Sequence, residues 1–184
     1  VESKYFAART ILGIAAMHEV KVVYRDLKPE NILIDADGTT KISDLGLATK
    51  IGKNGLSGVC GTRGYWAPEM IRHCVGHNKR EKYTETVDWF SLGCCIYEFL
   101  YGNSPFRTNR AKTWNGIKDR EKALDTALIE MEPDFDGTYF DADAIDLCKK
   151  LLDKDGLNFH FISILKSRFS KSFLRYMFFV LFVV

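Results

Sequence analysis

The segment 87–101 is the feature that most restricts what this chain can fold into. Drawn as a helix, it is apolar on nearly every side, and Gly102 follows it directly. A helix without a polar face has to be buried all round, and glycine readily forms the left-handed cap that ends a helix. We therefore predict a central buried helix, whose packing side chains include Trp89, Phe90, Leu92, Ile96, Tyr97, Phe99 and Leu100.

Two further helices are predicted to supply faces for this core. Between residues 5 and 15 apolar positions recur at steps of three and four, the period of a helix with one buried face. The same spacing returns over 142–153, where Asp141 is a candidate N-cap and Gly156 stands beyond the end. The second half of the chain is thus predicted to be mainly helical.

Short strands are predicted between the first helix and the central one. Segments 20–24, 31–35 and 40–44 are rich in β-branched residues, and the turn dipeptide Asp37-Gly38 separates the last two. This pattern predicts a β-hairpin. Segment 45–62 is rich in Gly, Lys, Ser and Asn without any period, which predicts a long surface loop, and such loops are usually functional or mobile.

Composition limits the class of protein. A length of 184 residues suits one domain, and 46% hydrophobic with 27% charged residues excludes a disordered chain. The formal charge of +2 gives no footprint for nucleic acid, so none is expected as a partner. Five cysteines without a Cys-x-x-Cys pair indicate reduced thiols, so we expect an intracellular, cytoplasmic protein.

The composition changes after Gly156. Residues 157–184, the basic-aromatic tail, contain eight aromatic residues, four basic residues and no acidic one. The tail carries +4 and the rest of the chain 2 − 4 = −2. Its longest uncharged run, 176–184, is far shorter than the ~20 residues that a spanning helix needs. We predict that the tail lies outside the domain fold, and we regard membrane contact through it as the less favoured alternative.

Three groups suited to phosphate chemistry follow one another on a predicted loop: Asp26, Lys28 and Asn31. Asp44 stands at a predicted strand end, where Gly46 permits a sharp backbone reversal. A magnesium ion on nucleotide phosphates takes one or two protein oxygens such as those of Asn31 and Asp44. Asp26 remains able to accept a hydroxyl proton as a base. The pattern points to phosphoryl transfer.

The remaining motifs strengthen this interpretation by their order. Segment 61–69 reads Gly-Thr-Arg-Gly-Tyr-Trp-Ala-Pro-Glu, and the buried helix opens with Val87-Asp88-Trp89. Alone, Asp26 or Asp44 would more often be a solvated loop carboxylate. So many matches at fixed spacing are not a chance arrangement.

Together the motifs resemble the C-terminal lobe of a eukaryotic protein kinase. Tyr24-Arg25-Asp26 is similar to the catalytic loop, with Tyr replacing His as in the AGC group. Asp44-Leu45-Gly46 is similar to the metal-binding triplet, and Ala67-Pro68-Glu69 to the end of the activation segment. Ser43, Leu45 and Ser104-Pro105-Phe106-Arg107 make the chain most similar to the G-protein-coupled-receptor kinases.

The resemblance implies a protein-kinase-like α+β fold, namely a mainly helical C-terminal lobe with short β-hairpins and no N-terminal lobe. It divides the chain into a partial kinase domain over 1–156 and the basic-aromatic tail. The implied activity is a serine/threonine protein kinase that uses ATP and Mg²⁺ and phosphorylates a protein substrate. Oligomeric state does not follow from it.

The resemblance implies a role for each residue that occupies a motif position. Asp26 would accept the substrate hydroxyl proton and Lys28 would neutralise the transferred phosphoryl group, while Thr62 fits serine/threonine specificity. Asn31 and Asp44 would hold the metal, with Lys28 and Leu33 contacting the nucleotide. Supporting roles would fall to Arg25, Gly46, Glu69 and Asp88, of which Asp88 ties the buried helix to the catalytic loop. The substrate pocket would include Glu30, Tyr65 and Trp66.

The chain also departs from the family pattern. The Gly-rich loop and strand lysine that grip the phosphates are absent, so we expect a fragment of a longer protein, inactive by itself. Gly58 occupies the usual phosphorylated position, which leaves Arg25 without a phosphate, and Ser57 is the nearest substitute. Glu69 lacks the arginine that pairs with it in the family, because the chain diverges after Lys154. That loss predicts a destabilised lobe.

Other interpretations remain open. The chain could be a catalytically silent kinase-like binding module, although intact Asp26, Lys28, Asn31 and Asp44 favour the enzyme. It could also be a membrane-associated peptide governed by the tail. A zinc site at His73, Cys74 and His77 is rejected, because a fourth ligand is lacking.

Overall fold

The computed structural model describes residues 2–75 and 82–155. Within these ranges the α-helices are α1 (Glu2–Glu19), α2 (Pro68–Val75), α3 (Thr86–Tyr101), α4 (Asn109–Lys112), α5 (Arg120–Glu130) and α6 (Ala142–Leu151). The strands are β1 (Val22–Val23), β2 (Ile32–Ile34), β3 (Thr40–Ile42) and β4 (Thr49–Lys50). Single 3₁₀ turns cover Pro29–Asn31, Leu45–Leu47 and Trp114–Gly116.

Helix α3 is the centre of the core, as its sequence predicts. Every residue from Val87 to Tyr97 is buried. The helix ends at Gly102, whose φ of 87° is left-handed and whose N–H donates to the Glu98 carbonyl at 2.8 Å. Gly93 lets α6 approach, because a Cβ there would lie 2.8 Å from the Leu151 Cβ.

The two flanking helices are also confirmed. Helix α1 packs on α3 and buries Ile11 and Ile14. Helix α6 packs on α3 as well, and its predicted N-cap forms, since Asp141 Oδ1 accepts the Ala144 N–H at 2.8 Å. Gly156 and the basic-aromatic tail lie outside the described residues, as does the rejected zinc group at the side chains of His73 and Cys74 and at His77.

The predicted hairpin is formed by β2 and β3. The strands are antiparallel, with Ile32 opposite Ile42 and Ile34 opposite Thr40. Gly38 takes the left-handed conformation that the turn requires, with φ of 82°. The hairpin presents Asn31 at one of its ends, next to the catalytic-loop segment.

The predicted surface loop over 45–62 contains short β-pairings that the sequence did not predict. Strand β4 pairs antiparallel with β1, and Leu56 forms a bridge with Tyr83. Two-residue strands are too short to produce a period in the sequence. They form here because the backbone groups of β1 need partners once Val23 is buried.

Helices α2, α4 and α5 are present in the structure but are not predicted by the sequence pattern. In α5 the buried residues form a narrow stripe of two alanines and two leucines, Ala123, Leu124, Ala127 and Leu128. Asp119 caps it by accepting the N–H groups of Glu121 and Lys122. Among the described residues no helix combines the length and apolar character that a membrane span requires.

Candidate active site

A buried carboxylate at the start of α3 holds the backbone of the segment that carries Asp26. Asp88, which is fully buried, accepts the Tyr24 N–H at 2.8 Å and the Arg25 N–H at 2.7 Å. Arg25 has φ of 71°, a left-handed conformation that is unfavourable for residues with a Cβ. The two hydrogen bonds compensate for this strain and fix the direction in which the loop continues.

His18, at the end of α1, is a third partner of Asp88 that the sequence analysis missed. Its Nε2 lies 2.7 Å from Asp88 Oδ2, and its ring meets the edge of Trp89 with a centroid distance of 5.0 Å. One histidine near a helix end has no distinctive sequence signal. The pairing depends on how α1 crosses α3.

Asp26 lies in a closed ring of polar contacts. Its Oδ1 accepts the Thr62 hydroxyl at 2.7 Å, and its Oδ2 accepts Lys28 Nζ at 3.1 Å. Lys28 Nζ also donates to Thr62 Oγ1 at 2.9 Å. Asp26 is 9% exposed, so these contacts define the position of its carboxylate. The structure therefore brings together the three residues of the predicted catalytic set, although Thr62 is 36 positions from Asp26.

Gly61 makes this ring possible. Its φ of 92° is left-handed, and a Cβ at this position would lie 2.3 Å from the Arg25 carbonyl oxygen. No side chain fits between the two backbones. The activation segment (residues 44–69) therefore passes directly over Arg25 of the catalytic-loop segment (residues 24–26), which brings the Thr62 hydroxyl to Asp26 and Lys28.

Asn31 links Asp26 to the strand that leads to Asp44. Its Nδ2 donates to the Asp26 carbonyl at 2.9 Å and to Asp26 Oδ2 at 3.3 Å. The backbone carbonyl oxygen of Asn31 accepts the Ser43 N–H at 2.9 Å. The Tyr24 hydroxyl donates to the Ser43 carbonyl at 2.5 Å. Asp44 thus directly follows Ser43, which is hydrogen-bonded to both Asn31 and Tyr24.

The pKa of Tyr24 reflects its burial and the nearby carboxylates of Asp26, Asp44 and Asp88. Burial raises the pKa of the Tyr24 hydroxyl to about 12, and the negative charges of Asp26, Asp44 and Asp88 add to the increase. A tyrosine in this position stays protonated and acts as a donor at neutral pH.

The chemistry of Asn31 and Asp44 fits a magnesium ion. With its amide nitrogen turned to Asp26, Asn31 keeps only its amide oxygen as a ligand atom. The Asp44 side chain is exposed, and no ion pair engages it within 2–75 and 82–155. Both are the hard oxygen donors that Mg²⁺ prefers. Histidine, cysteine and carboxylates do not form a separate metal-binding group of three or more in the described part of the chain.

The backbone reversal after β3 has a different origin from the one predicted. Asp44 is the left-handed residue, with φ of 53°, whereas Gly46 has no such φ. Gly46 instead donates its N–H to Asp44 Oδ1 at 3.2 Å. Aspartate tolerates the left-handed region because its side chain can bond locally in this way.

Arg25 has neutral partners. Its Nε donates to the Leu47 carbonyl at 2.9 Å, and its guanidinium donates to the Tyr83 hydroxyl at 3.3 Å. Tyr83 in turn bridges to Leu56 through backbone hydrogen bonds. These contacts connect Arg25 directly to Leu47 and, through Tyr83, to Leu56.

The predicted nucleotide and substrate residues differ in exposure. Leu33 on β2 is 51% exposed, and Glu30 is also exposed. Trp66 is half-buried beneath the Arg63 guanidinium, which lies 4.9 Å from its ring centroid. Tyr65 is 2% exposed, so it can shape a pocket only from beneath.

Tyr65 and Glu69 tie this region to the core. The Tyr65 hydroxyl donates to Glu98 Oε2 at 2.6 Å, and its carbonyl accepts the Ser91 hydroxyl at 2.8 Å. Glu69 Oε1 accepts the Thr86 hydroxyl at 3.1 Å. Burial raises the pKa of Glu69, and hydrogen bonds from its own backbone and from the Thr86 hydroxyl, together with attraction to Arg72, offset the rise only in part.

Comparison with known proteins agrees with this geometry. The family described as "Protein kinase domain" matches residues 1–158. The chain is 39% identical over 152 residues to rhodopsin kinase grk7a of Danio rerio, which covers 82% of this chain. It is 40% identical over 153 residues to rhodopsin kinase GRK1 of Rattus norvegicus, and 39% identical over 154 residues to G protein-coupled receptor kinase 2 of Caenorhabditis elegans.

These matches extend over most of the chain but only a part of each relative. They include 26% of the Danio rerio protein, 25% of the Rattus norvegicus protein and 20% of the Caenorhabditis elegans protein. The chain therefore spans about a quarter or less of the length of these relatives.

Proposed function

Because this chain belongs to the protein kinase family, we propose that the protein carrying it is a serine/threonine kinase that transfers the γ-phosphoryl group of ATP to protein hydroxyls. The observation that carries the proposal is the ring of Asp26, Lys28 and Thr62. It places a carboxylate that can act as a base next to a cation that can balance phosphoryl charge, and the Thr62 hydroxyl holds both in position.

In this proposal Asp26 accepts the proton of the substrate hydroxyl at a carboxylate oxygen. Lys28 balances negative charge on the transferred group, and its present bonds to Asp26 and Thr62 keep the ammonium directed at the reaction site. Thr62 orients the Asp26 carboxylate from the activation segment. The low exposure of Asp26 supports a fixed rather than a mobile base.

Asn31 and Asp44 would hold Mg²⁺, which would neutralise phosphate charge and orient the nucleotide. Family members use ATP with Mg²⁺. Leu33, exposed on β2, would contact the adenine ring from below. Glu30 would bind a basic residue of a protein substrate. Trp66, with Tyr65 beneath it, would contact the substrate residue that follows the Ser or Thr acceptor.

We further propose an intracellular location with reduced thiols. Cys94, Cys95 and Cys148 are free and buried, and Cys60 is free and half-buried. Burial raises the pKa of each of these four thiols, which disfavours the reactive thiolate. This supports a packing role for them in a reducing compartment.

Activity is proposed to be independent of activation-loop phosphorylation. Arg25 is bound by Leu47 and Tyr83, both neutral, and Gly58 stands at the position where relatives in the AGC group would carry the phosphate. Replacing Ser57, the nearest hydroxyl, with alanine should leave phosphotransfer within twofold of wild type. Loss of activity in Ser57→Ala would contradict this part of the proposal.

The principal test is Asp26→Asn in the natural protein that carries this sequence. Phosphotransfer from labelled ATP to matched Ser-, Thr- and Tyr-containing peptides should fall by roughly 10²- to 10⁴-fold, the usual contribution of a general base. Binding of a fluorescent ATP analogue should persist. Asp37→Asn, in an exposed turn, is the matched control and should retain activity.

The same measurements distinguish the binding-module alternative. A wild-type protein with neither Mg²⁺-dependent nucleotide binding nor phosphotransfer would be a silent kinase-like module. The 184-residue chain alone contains no Gly-x-Gly-x-x-Gly sequence to cover the phosphates, so we expect no turnover from it. Turnover by this chain with Mg-ATP at rates typical of kinases would refute that expectation.

A further inference from the structure

An apolar cavity lies where α1, α3 and α6 meet, and it shares no residue with the candidate active site. Its volume is about 90 Å³, and its floor consists of Ala7, Ile96, Leu100, Ala144 and Leu147. For comparison, an apolar cavity of roughly 150 Å³ holds a benzene molecule. The cavity is smaller than that, so it suits a partly inserted side-chain ring or a branched aliphatic group rather than a metabolite.

The rim of the cavity is exposed and contains one basic and two acidic residues, Lys4, Asp141 and Asp143. Lys4 pairs with Asp141 at 2.9 Å, so these two charges neutralise each other. Asp143, also at the rim, is exposed, and no ion pair engages it within the described residues. The exposed Tyr139 completes the border on one side. An apolar recess beside an unneutralised carboxylate fits a ligand that joins an aromatic group to positive charge.

One segment of the same chain has this chemistry. Residues 166–175 read Lys-Ser-Arg-Phe-Ser-Lys-Ser-Phe-Leu-Arg, which contains all four charges of the basic-aromatic tail. Phe169 and Phe173 each stand between basic residues. The later segment 176–184 is apolar throughout and has no charge to match the rim.

The connection is long enough. The described chain ends at Asp155, after α6, and the cavity lies near the other end of this helix. Seven helical residues and four extended ones separate Ala144 from Asp155 by on the order of 25 Å at most. The fourteen residues from Asp155 to Phe169 can extend to roughly 46 Å.

We infer that segment 166–175 docks on this rim and inserts Phe169 or Phe173 into the cavity between α1, α3 and α6. Its basic side chains face Asp143. In this inference the basic-aromatic tail is a ligand of the lobe in cis. The inference does not depend on the proposed catalytic function.

Photo-crosslinking of the natural protein that carries this 184-residue sequence tests the inference. Phe169 and Phe173 are replaced, one at a time, by p-benzoylphenylalanine, and adducts are mapped by mass spectrometry. At least one of the two positions should give intrachain adducts in peptides that contain Ala7, Leu100 or Leu147, at least fivefold above the same probe at Phe182. Adducts mainly between two chains would assign the cavity to the tail of a second copy and overturn the inference. Adducts elsewhere, or none, would also overturn it.

Two variants test the cavity itself. Ala144→Trp fills it and should reduce the crosslink at least tenfold. If that variant fails to fold, as judged by urea unfolding, Asp143→Lys on the exposed rim should still reduce the yield severalfold at low salt. Glu19→Lys makes the same charge change at the far end of α1 and should have no effect. A crosslink that persists at full yield in Asp143→Lys and in any folded Ala144→Trp would overturn the inference.

Discussion

The Asp88 carboxylate accepts the backbone N–H of Arg25 at 2.7 Å, across 63 positions of sequence. Asp88 belongs to the most deeply buried helix, and Arg25 directly precedes the proposed base. The left-handed conformation of Arg25 is therefore maintained by the core itself. Any change at Asp88 should affect both the stability of the fold and the direction of Asp26.

Asp88→Asn tests this coupling. Asparagine keeps one accepting oxygen, so its NH₂ group would face one of the two N–H donors, that of Tyr24 or that of Arg25, which bond to different oxygens of Asp88. We expect a loss of roughly 2 to 4 kcal/mol in the free energy of unfolding, because bonds to a buried charge are lost. Urea unfolding measures the loss, with Asp37→Asn as the unaffected control. An unchanged midpoint would show that other contacts hold the loop.

Gly61 and Gly58 form a matched pair for the contact between the activation segment and the catalytic-loop segment. Both have positive φ, 92° and 86°, but only at Gly61 would a Cβ collide with the Arg25 carbonyl oxygen; at Gly58 nothing lies within 4 Å. Gly58→Ala should cost about 1 kcal/mol from backbone strain alone. Gly61→Ala should cost at least twice as much and displace Thr62 from Asp26. Equal losses in thermal unfolding would contradict the close approach.

Periodicity was sufficient to predict the helices that bury broad apolar faces. The helix over 87–101 and those that begin near residues 5 and 142 were predicted because their side chains repeat at helical spacing. Helix α5 was not predicted, because it buries a narrow stripe with two alanines and gains its position from packing on α2 and α4. Strand β4 could not be predicted, since two residues carry no period.

The residues of the candidate site also fall into those that local sequence predicts and those that only the folded chain brings together. Asp26, Lys28 and Asn31 are close in sequence, so their proximity could be predicted from spacing and motif. Thr62 was predicted only through the resemblance to kinases, because the close approach at Gly61 depends on the folded backbone. The pairing of His18 with Asp88 depends on the crossing of two helices, which local sequence does not specify.

Glu69→Gln should change how stability depends on pH. Burial raises the pKa of Glu69 above 4.5, so the folded chain holds more protons than the unfolded chain between 4.5 and the raised value. Stability from this group therefore falls as pH rises through that interval. The variant should flatten this slope and be at least as stable as wild type at pH 7, since glutamine can still accept the Thr86 hydroxyl.

Chemical unfolding between pH 4 and pH 7 provides the measurement for Glu69. Glu19→Gln is the control, because Glu19 is exposed at the end of α1. A variant that is less stable than wild type at pH 7 by more than about 1 kcal/mol would mean that the Glu69 charge has a favourable partner.

Lys154 should oppose folding at neutral pH. Its Nζ donates to the Leu128 carbonyl at 2.7 Å and lies 3.9 Å from the centroid of the Phe106 ring. Burial lowers the pKa of Lys154 from 10.5 to about 8 despite these contacts. Between pH 8 and pH 10.5 the unfolded chain therefore holds more protons than the folded chain, so stability from this group rises with pH across that window.

Lys154→Met removes the buried cation while it keeps the apolar stem. A pKa lowered from 10.5 to about 8 corresponds to roughly 3 kcal/mol. The variant should gain up to about this amount at pH 7, less the lost bond to Leu128. The gain should shrink as pH rises from 8 to 10.5. Urea unfolding at several pH values measures the difference from wild type, and Lys118→Met, at an exposed position, should show no such trend. A variant less stable than wild type at pH 7 would mean that the contacts with Leu128 and Phe106 outweigh the cost of burying the charge.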